Sequence, residues 1–434
     1  MTYEEALAYI ASLEARGWRL GLDRMEEFAR RLGLSGSLGE PGGPQFIHVA
    51  GTNGKGSVTA YLQSMLVESG HSTGSFFSPY VYDPRERVQI GRRLIPKRIF
   101  ALLTEWIQPF AESLSETKYE GVTEFEFKTA MALQFWKEMD CDWVALEVGL
   151  GGRLDATNIV TPRCSVIVSI GMDHTHILGD SLEKIAAEKG GIIKPGVPVV
   201  LGEMPSAASN VLLRIAAEKG SEVWMFGREI VLTEVSPSEE SADYVVSTPH
   251  GRHEGLVPGI AGVKQPHNMA LAVAAMSLSG AMNTLGGLQR GARDAFAPGR
   301  MQRVKTLERN WLLDGAHNRE AASVLASTLK GETRRIVLVS GMVQGHDLQP
   351  FFRELEPLVM EAIFAPIDFH RAVAPTELLD KVGRLFPESS ASPTLDAAVQ
   401  MAIEATTPND LILVTGSFYL VGEVGRMLGI GGQE

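Results

Sequence analysis

Apolar residues recur along this chain in two alternating registers. Over residues 1–38, Ala6, Leu7, Ile10 and Leu13, then Met25, Phe28 and Leu32, fall at helical spacing and predict helices that pack on the downstream chain. After turn formers at 41–44, a short apolar run at 46–50 predicts a buried strand, followed by a glycine-rich loop and a helical pattern over 58–68. The order repeats, with strands predicted at 143–148, 165–170 and 197–201 and helices at 125–139 and 182–189. Such alternation predicts an α/β fold in which a mostly parallel sheet is covered by helices on both faces. A polar stretch at 233–253 predicts an insertion or hairpin, and the Ala-rich segment 267–278 a helix. A second series begins after Pro298-Gly299, with strands predicted at 311–313, 336–339, 362–365 and 411–414 and helices at 321–329 and 395–405. Two domains are therefore expected, 1–296 and a smaller α/β domain, 297–434.

Composition narrows the function classes. The 434 residues carry 40 Lys plus Arg against 52 Asp plus Glu, a net charge of 40 − 52 = −12. This argues against a protein that coats nucleic acid or an anionic membrane, so an anionic ligand needs a specific site. No run of about 18 apolar residues occurs and the first ten residues are acidic and amphipathic, so neither a membrane span nor a signal peptide is expected. Cys141 and Cys164 both lie in apolar stretches, which excludes a disulfide framework or a Cys-based zinc site and fits a reducing cytoplasm.

The sharpest chemical signal is Gly51-Thr52-Asn53-Gly54-Lys55-Gly56-Ser57, placed between a predicted strand and a predicted helix. Glycines let backbone N–H groups curl around phosphate oxygens, the helix presents its positive end, Lys55 can reach terminal phosphates and Ser57 can ligate Mg²⁺. The spacing departs from the strict P-loop pattern because Gly56 separates Lys55 from the hydroxyl. Glu147 sits inside a predicted buried strand, where a carboxylate is costly unless it is paired or bound to a cation; Mg²⁺ or a core arginine would each answer. The 149–158 segment, GLGGRLDATN, predicts a loop at the carboxyl edge of the sheet, with Asp155, Thr157 and Asn158 as polar contacts. His174 and His176, in the next strand-end loop, suit metal binding or proton transfer, although no third ligand at a zinc spacing accompanies them. Asp180 reads as an N-cap with Glu183 three residues on, and Lys189 at the end of that helix reads, on its local sequence, as an ordinary surface lysine. Downstream, Arg300 can reach a phosphate, Asp314 can accept from ribose hydroxyls, and Thr415-Gly416-Ser417 closes the last strand in the same manner. Strand ends of both domains are thus expected to aim polar groups at one cleft.

Taken together, these motifs resemble the Mur ligase superfamily, and within it the folylpolyglutamate synthases and bifunctional dihydrofolate synthases. The likeness rests on 48–57 (HVAGTNGKGS), Ser78-Pro79 with Glu86-Arg87, 123–126, 146–158, Asp173-His174 with 178–180 and 188–194, 265–268, 298–300 and 314–318. It implies a P-loop mononucleotide-binding domain with a mostly parallel central sheet and a smaller Rossmann-like C-terminal domain. It implies two Mg²⁺ sites: Ser57 at the nucleotide, and Glu147, His174 and a carbamylated Lys189 at the second. Gly51–Ser57 with Asn268, Arg300 and Asp314 would bind ATP; Arg87, Thr123, Phe125 and Asp155 the folate; His317 and Ser417 the incoming glutamate. Lys55, His174, Lys189 and His317 would be catalytic. The segment after Ser78 would cover the folate. Tyr80 and Lys264 stand where the family commonly has histidines, which bears on the pterin loop and the adenine contact.

The implied reaction is ATP-dependent ligation. The carboxylate of a folate or dihydropteroate attacks the γ-phosphate, and the amine of L-glutamate then displaces phosphate from the acyl phosphate. Closure of the second domain is the expected device against water. The expected partners are these small molecules, with no nucleic acid and no membrane, and the expected state is a monomer. Two other classes fit parts of the pattern: a Mur-type ligase acting on a peptidoglycan precursor, and a non-catalytic nucleotide-dependent switch, which leaves Glu147, His174 and Lys189 without a role.

Overall fold

Strand β1 (Gln45–Ala50) runs through the middle of a sheet and is buried from its second residue onward, as its uninterrupted apolar run requires. The computed structural model describes residues 1–17, 19–237 and 242–431 and divides into two units. Unit 1 comprises Met1–Ser78, Arg85–Gly259 and Pro266–Phe296; unit 2 comprises Pro79–Pro84, Ile260–Gln265 and Ala297–Glu434.

Unit 1 is built on β1, β2 (Thr73–Phe76), β3 (Val88–Ile90), β4 (Arg93–Leu94), β5 (Trp143–Glu147), β6 (Cys164–Ile167), β7 (Val199–Leu201) and β8 (Val223–Met225). Their order across the sheet is β4-β3-β2-β5-β1-β6-β7-β8. The β3 and β4 pairings are antiparallel and the others parallel. Because β1 lies between β5 and β6, three loops leave the carboxyl edge side by side: those after Ala50, Glu147 and Ile167. Strand β6 is shorter than the predicted 165–170, because Ser169 turns its backbone and hydroxyl to the loop after β1 instead of to a strand. The polar stretch predicted at 233–253 belongs to a three-stranded antiparallel sheet of β9 (Val231–Pro237), β10 (Ala242–Thr248) and β11 (Gly251–Leu256); its residues 238–241 lie outside the described residues. The helix predicted at 182–189 is Leu182–Gly190, but Ser181 caps it by accepting from Lys184 N–H. The carboxylate of Asp180, read as the cap, is instead 2.7 Å from the Lys184 ammonium in solvent.

The predicted N-terminal helices are Tyr3–Ser12 and Asp23–Arg31, and they contribute Ala6, Ile10, Met25 and Phe28 to a core shared with Phe100, Ile107, Phe127 and Trp136. A buried ion pair fastens the second. Arg24 Nε donates to both oxygens of Glu126 at 2.8 and 2.7 Å, and Glu126 also accepts from the N–H and the hydroxyl of Thr123.

Unit 2 is a sheet of β12 (Gln302–Thr306), β13 (Arg309–Leu313), β14 (Ile336–Ser340), β15 (Val359–Phe364), β16 (Glu388–Ala391) and β17 (Leu411–Thr415), ordered β12-β13-β17-β14-β15-β16. Only β12 is antiparallel to its neighbour. The short segment 79–84 belongs with this unit because Val81 and Tyr82 enter its core beside Trp311 and Val337, and Tyr82 donates its hydroxyl to Gln302 at 2.6 Å. Gly422 admits the close approach: a Cβ there would stand 2.0 Å from the Val81 carbonyl oxygen. Both cysteines are buried and free, and among the described residues no helix is long and apolar enough to cross a membrane.

Removing one partner of a buried pair leaves the other charge uncompensated, at a cost of about 3–5 kcal/mol. Glu126→Ala is therefore expected to destabilise unit 1 by about that amount in urea unfolding, whereas Glu27→Ala, which breaks the surface pairs with Arg30 and Arg31, should change it far less. Equal effects would deny the Arg24–Glu126 pair its structural role.

Candidate active site

The loop after β1 has the shape its glycines suggest. Gly54 has φ +84°, and a Cβ on it would stand 2.9 Å from Val168 and 3.0 Å from Asn268 Oδ1, so both the backbone and the space require glycine. Helix Lys55–Glu68 starts at once, and Gly54 at its N-cap supplies no side-chain cap, so its first-turn N–H groups suit an anion. Asn268, buried in the first turn of helix Gln265–Ser279, is thereby brought to the loop.

A second loop holds the first. Thr52 N–H donates to the Ser169 carbonyl at 2.8 Å, and the Thr52 hydroxyl both donates to the Gly171 carbonyl and accepts from Gly171 N–H. The Ser169 hydroxyl accepts from Asn53 N–H at 3.0 Å and donates to the Asn53 carbonyl at 2.9 Å. The Asn53 amide therefore serves the loop. Ser169 escaped sequence reasoning; its one signal is a hydroxyl inside the apolar run SVIVSI.

Two lysines meet on one carbonyl. Lys55 Nζ donates to Gly51 O at 3.0 Å and Thr52 O at 3.2 Å, and Lys189 Nζ donates to the same Gly51 O at 3.0 Å. Lys189 is not the surface residue its local sequence suggested: it is 4 % exposed, on the inward face at the end of helix Leu182–Gly190. Burial, then the nearby Lys55 charge, push its amine down to about 7, and Asp173 and Asp155 oppose this only in part. Glu147 ends β5 beside Val49 of β1; its carboxylate is buried and accepts from Ser78 N–H at 2.9 Å. His174 lies in the loop that Gly171 anchors to Thr52, at φ +48°, with Nε2 3.9 Å from the Asp173 carboxylate.

Among the described residues no three His, Cys, Asp or Glu side chains cluster tightly enough to hold a metal alone. The buried hydroxyl of Ser57 and the buried carboxylate of Glu147 do fit Mg²⁺, a hard ion that takes a few protein oxygens and fills its shell with water and phosphate.

A third group surrounds Gly149. A Cβ there would stand 2.4 Å from the Phe125 ring and 3.1 Å from Asp155 Oδ2. Phe125 packs edge-on to Phe76, and the Arg87 guanidinium lies over both rings at 5.4 and 5.7 Å. Asp155 is spent on its own loop: Oδ1 accepts from the N–H and hydroxyl of Thr157, and Oδ2 from Leu150 N–H. Burial pushes its carboxyl up and these donors oppose the rise. His48 completes a chain: its Nε2 stands 2.8 Å from the Thr157 hydroxyl, whose proton goes to Asp155, so Nε2 is the donor. Full burial pushes that imidazole down to about 3 and keeps it neutral. Thr123 caps helix Glu124–Glu138, its hydroxyl committed to Glu126 in a capping box.

Unit 2 gathers the remaining candidates. Arg300 lies with its guanidinium carbon 4.3 Å from the Phe418 ring centroid. Asp314 accepts from Met301 N–H at 2.9 Å and Ala316 N–H at 3.0 Å, and burial pushes its carboxyl up against the pull of Arg300. His317 Nδ1 is 2.8 Å from the Gly315 carbonyl, which makes Nδ1 the protonated nitrogen. Ser417 caps helix Phe418–Met427. Phe418 also escaped sequence reasoning, its signal being an aromatic residue directly after a strand-end serine.

The Mur ligase middle domain model matches residues 49–276, and the Mur ligase glutamate ligase domain model matches 299–418. The chain belongs to the Mur ligase family. Within that class its likeness is to one branch over its whole length. It is 32% identical to a dihydrofolate synthase/folylpolyglutamate synthase of Bacillus subtilis over 98% of this chain and 99% of that protein. It is 35% identical to the Escherichia coli protein so named, over 96% of this chain and 93% of that one. The E. coli FolC structure in complex with DHPP and ADP matches with a TM-score of 0.87 at 32% identity, covering 99% of this chain and 98% of that one. Mycobacterium tuberculosis folylpolyglutamate synthase complexed with ADP matches with a TM-score of 0.90 at 26% identity, covering 99% and 100%.

A buried lysine lowered to about 7 from its ordinary 10.5 carries a pH signature. Above 10.5 the amine is neutral folded or unfolded; as pH falls to about 7 the unfolded chain takes up a proton that the folded chain refuses, so stability falls across that window. In buffers purged of CO₂, the stability of wild type relative to Lys189→Met should therefore rise from the lower to the upper end of the window in urea unfolding. A difference that does not vary with pH would contradict the buried, depressed amine.

Proposed function

We propose that this chain is an ATP-dependent ligase that adds L-glutamate to the carboxylate of a folate, and also of dihydropteroate, through an acyl phosphate. The observation that carries the reading is the meeting of Lys55, from a phosphate loop, and the buried Lys189 on the Gly51 carbonyl, in a chain alike from end to end to proteins of that name. The E. coli relative's complex with DHPP and ADP supports a pteroate-type acceptor and a nucleotide. In the same reading the enzyme works as a cytoplasmic monomer.

Gly51–Ser57, Asn268, Arg300 and Asp314 bind ATP. Lys55 leaves the Gly51 carbonyl for the terminal phosphates and neutralises charge that develops on the transferring oxygens as the acceptor carboxylate attacks. Ser57 would hold Mg²⁺ at the nucleotide, and Glu147, His174 and a Lys189 carbamate would hold one at a second position, where the ion would supply further neutralisation of phosphoryl charge. Lys189 suits carbamylation because only a neutral amine attacks CO₂, losing a proton as the N–C bond forms, and its burial holds a large neutral fraction near neutrality. The product is an anion, so its repulsion from Lys55 becomes attraction. Arg87, Thr123, Phe125 and Asp155 form the folate side, the aromatic ring and guanidinium offering a flat surface to a pterin. The amine of glutamate, held near His317 and Ser417, attacks the acyl phosphate carbonyl, and phosphate leaves through a tetrahedral intermediate.

Purified protein incubated with MgATP and L-glutamate, separately with dihydropteroate and with a reduced folate, should release ADP and add one glutamyl unit to each acceptor by mass. Gain on the folate alone restricts the activity to folylpolyglutamate synthesis; gain on neither, with a peptidoglycan precursor extended instead, replaces this reading with the Mur-type ligase. ADP release without any amide product would leave a nucleotide switch. Lys189→Ala should lower kcat by at least about 100-fold with the fold intact by circular dichroism, and a short carboxylic acid should restore part of it. Unaltered turnover would remove Lys189 from the site.

A further inference from the structure

Arg300 is presented by an unusual stretch of backbone. It stands between Gly299 at φ +61° and Met301 at φ +46°, and a non-glycine residue in that region persists only where its surroundings over-determine it. Here Met301 N–H is held by Asp314 Oδ2 at 2.9 Å, and the Arg300 guanidinium lies over the Phe418 ring, 4.3 Å from its centroid. Phe418 is 7 % exposed and is the first residue of a helix whose cap, Ser417, accepts from Tyr419 N–H. The loop after β13 rests on the same ring. A Cβ at Gly315 would stand 2.2 Å from the Phe418 ring, so only glycine permits the approach, and the His317 ring lies 6.0 Å away. One aromatic side chain thus touches both the arginine that precedes the strained Met301 and the loop that carries Asp314 and His317.

We propose that Phe418 is a positioning residue for the ligase reaction: its ring face holds the Arg300 guanidinium ordered before ATP arrives. The inference rests on the reading of Arg300 as an ATP-binding residue. A guanidinium on a flexible stem loses rotamer freedom when it engages phosphate; the negative face of an aromatic ring orders it beforehand. The contact with Gly315 is steric, and the His317 ring stands farther off, at 6.0 Å against 4.3 Å for Arg300, so the electronic character of the ring acts chiefly on Arg300.

The test replaces Phe418 in the full-length enzyme with mono-, di- and trifluorinated phenylalanine, which drain the ring face of negative charge at nearly constant size. We expect kcat/KM for ATP to fall with each fluorine, by about 3- to 10-fold over the series, while the KM for glutamate moves less and the thermal midpoint stays constant. Phe418→Leu should fall further and Phe418→Tyr should retain activity. A flat series, in an enzyme that Arg300→Ala impairs, overturns the role of Phe418 alone. If Arg300→Ala leaves kcat/KM for ATP unchanged, the placement of Arg300 at ATP fails and this inference fails with it. Absence of ligase activity in the wild type instead defeats the proposed function.

Discussion

The Gly51 carbonyl is the point on which the candidate active site turns. One oxygen accepts from Lys55 and from Lys189, the second of which has almost no access to solvent. Two ammonium groups so close in a poorly solvated place repel, and the pair relaxes most cheaply if one amine is neutral. The fold enforces this by burying Lys189 at the end of a helix while Lys55 opens another helix at the edge of the phosphate loop. A depressed amine, a second lysine on the same carbonyl and a buried carboxylate at the neighbouring strand end thus lie close together.

That arrangement depends on loops being held without regular pairing. The loops after β1 and β6 satisfy each other's polar groups through Thr52, Ser169, Asn53 and Gly171, so displacing one displaces the other, and the second carries His174. The same device recurs where Asp155 gathers three donors from its own loop and where Glu126 serves at once as helix cap and as partner of Arg24. In each case a short polar side chain takes the place of a ladder, which keeps a buried loop from leaving donors unpaired. Thr123 and Asp155, read as substrate contacts, thereby have a structural duty in addition to the one proposed for them.

Unit 2 obeys the same logic with an aromatic ring. Its last strand ends at Thr415, its last helix opens at Phe418, and the short connection carries a capping serine. Glycine at 315 is what lets the neighbouring loop reach that ring. The positive φ of Met301 is tolerated because a buried carboxylate accepts its N–H.

How much of this could be read along the chain depends on how local the cause is. The glycine-rich loop between strand and helix was legible because strand, glycines and helix lie in one stretch, and the buried strands because a strand covered on both faces is an unbroken apolar run. Glu147 was legible as a charge inside such a run. The family itself was legible because ordered motifs span the chain. The depressed amine of Lys189, the Ser169 clamp and the Phe418 platform were not legible from spacing. Nor was the membership of 79–84 and 260–265 in unit 2. Each is made by residues far apart in sequence: Lys189 bonds a carbonyl 138 positions away, and Asn53 a hydroxyl 116 away. Periodicity and turn chemistry act over a few residues and so determine elements. Burial, pKa and the direction of a side chain are set by non-local neighbours, and only the tertiary structure decides them.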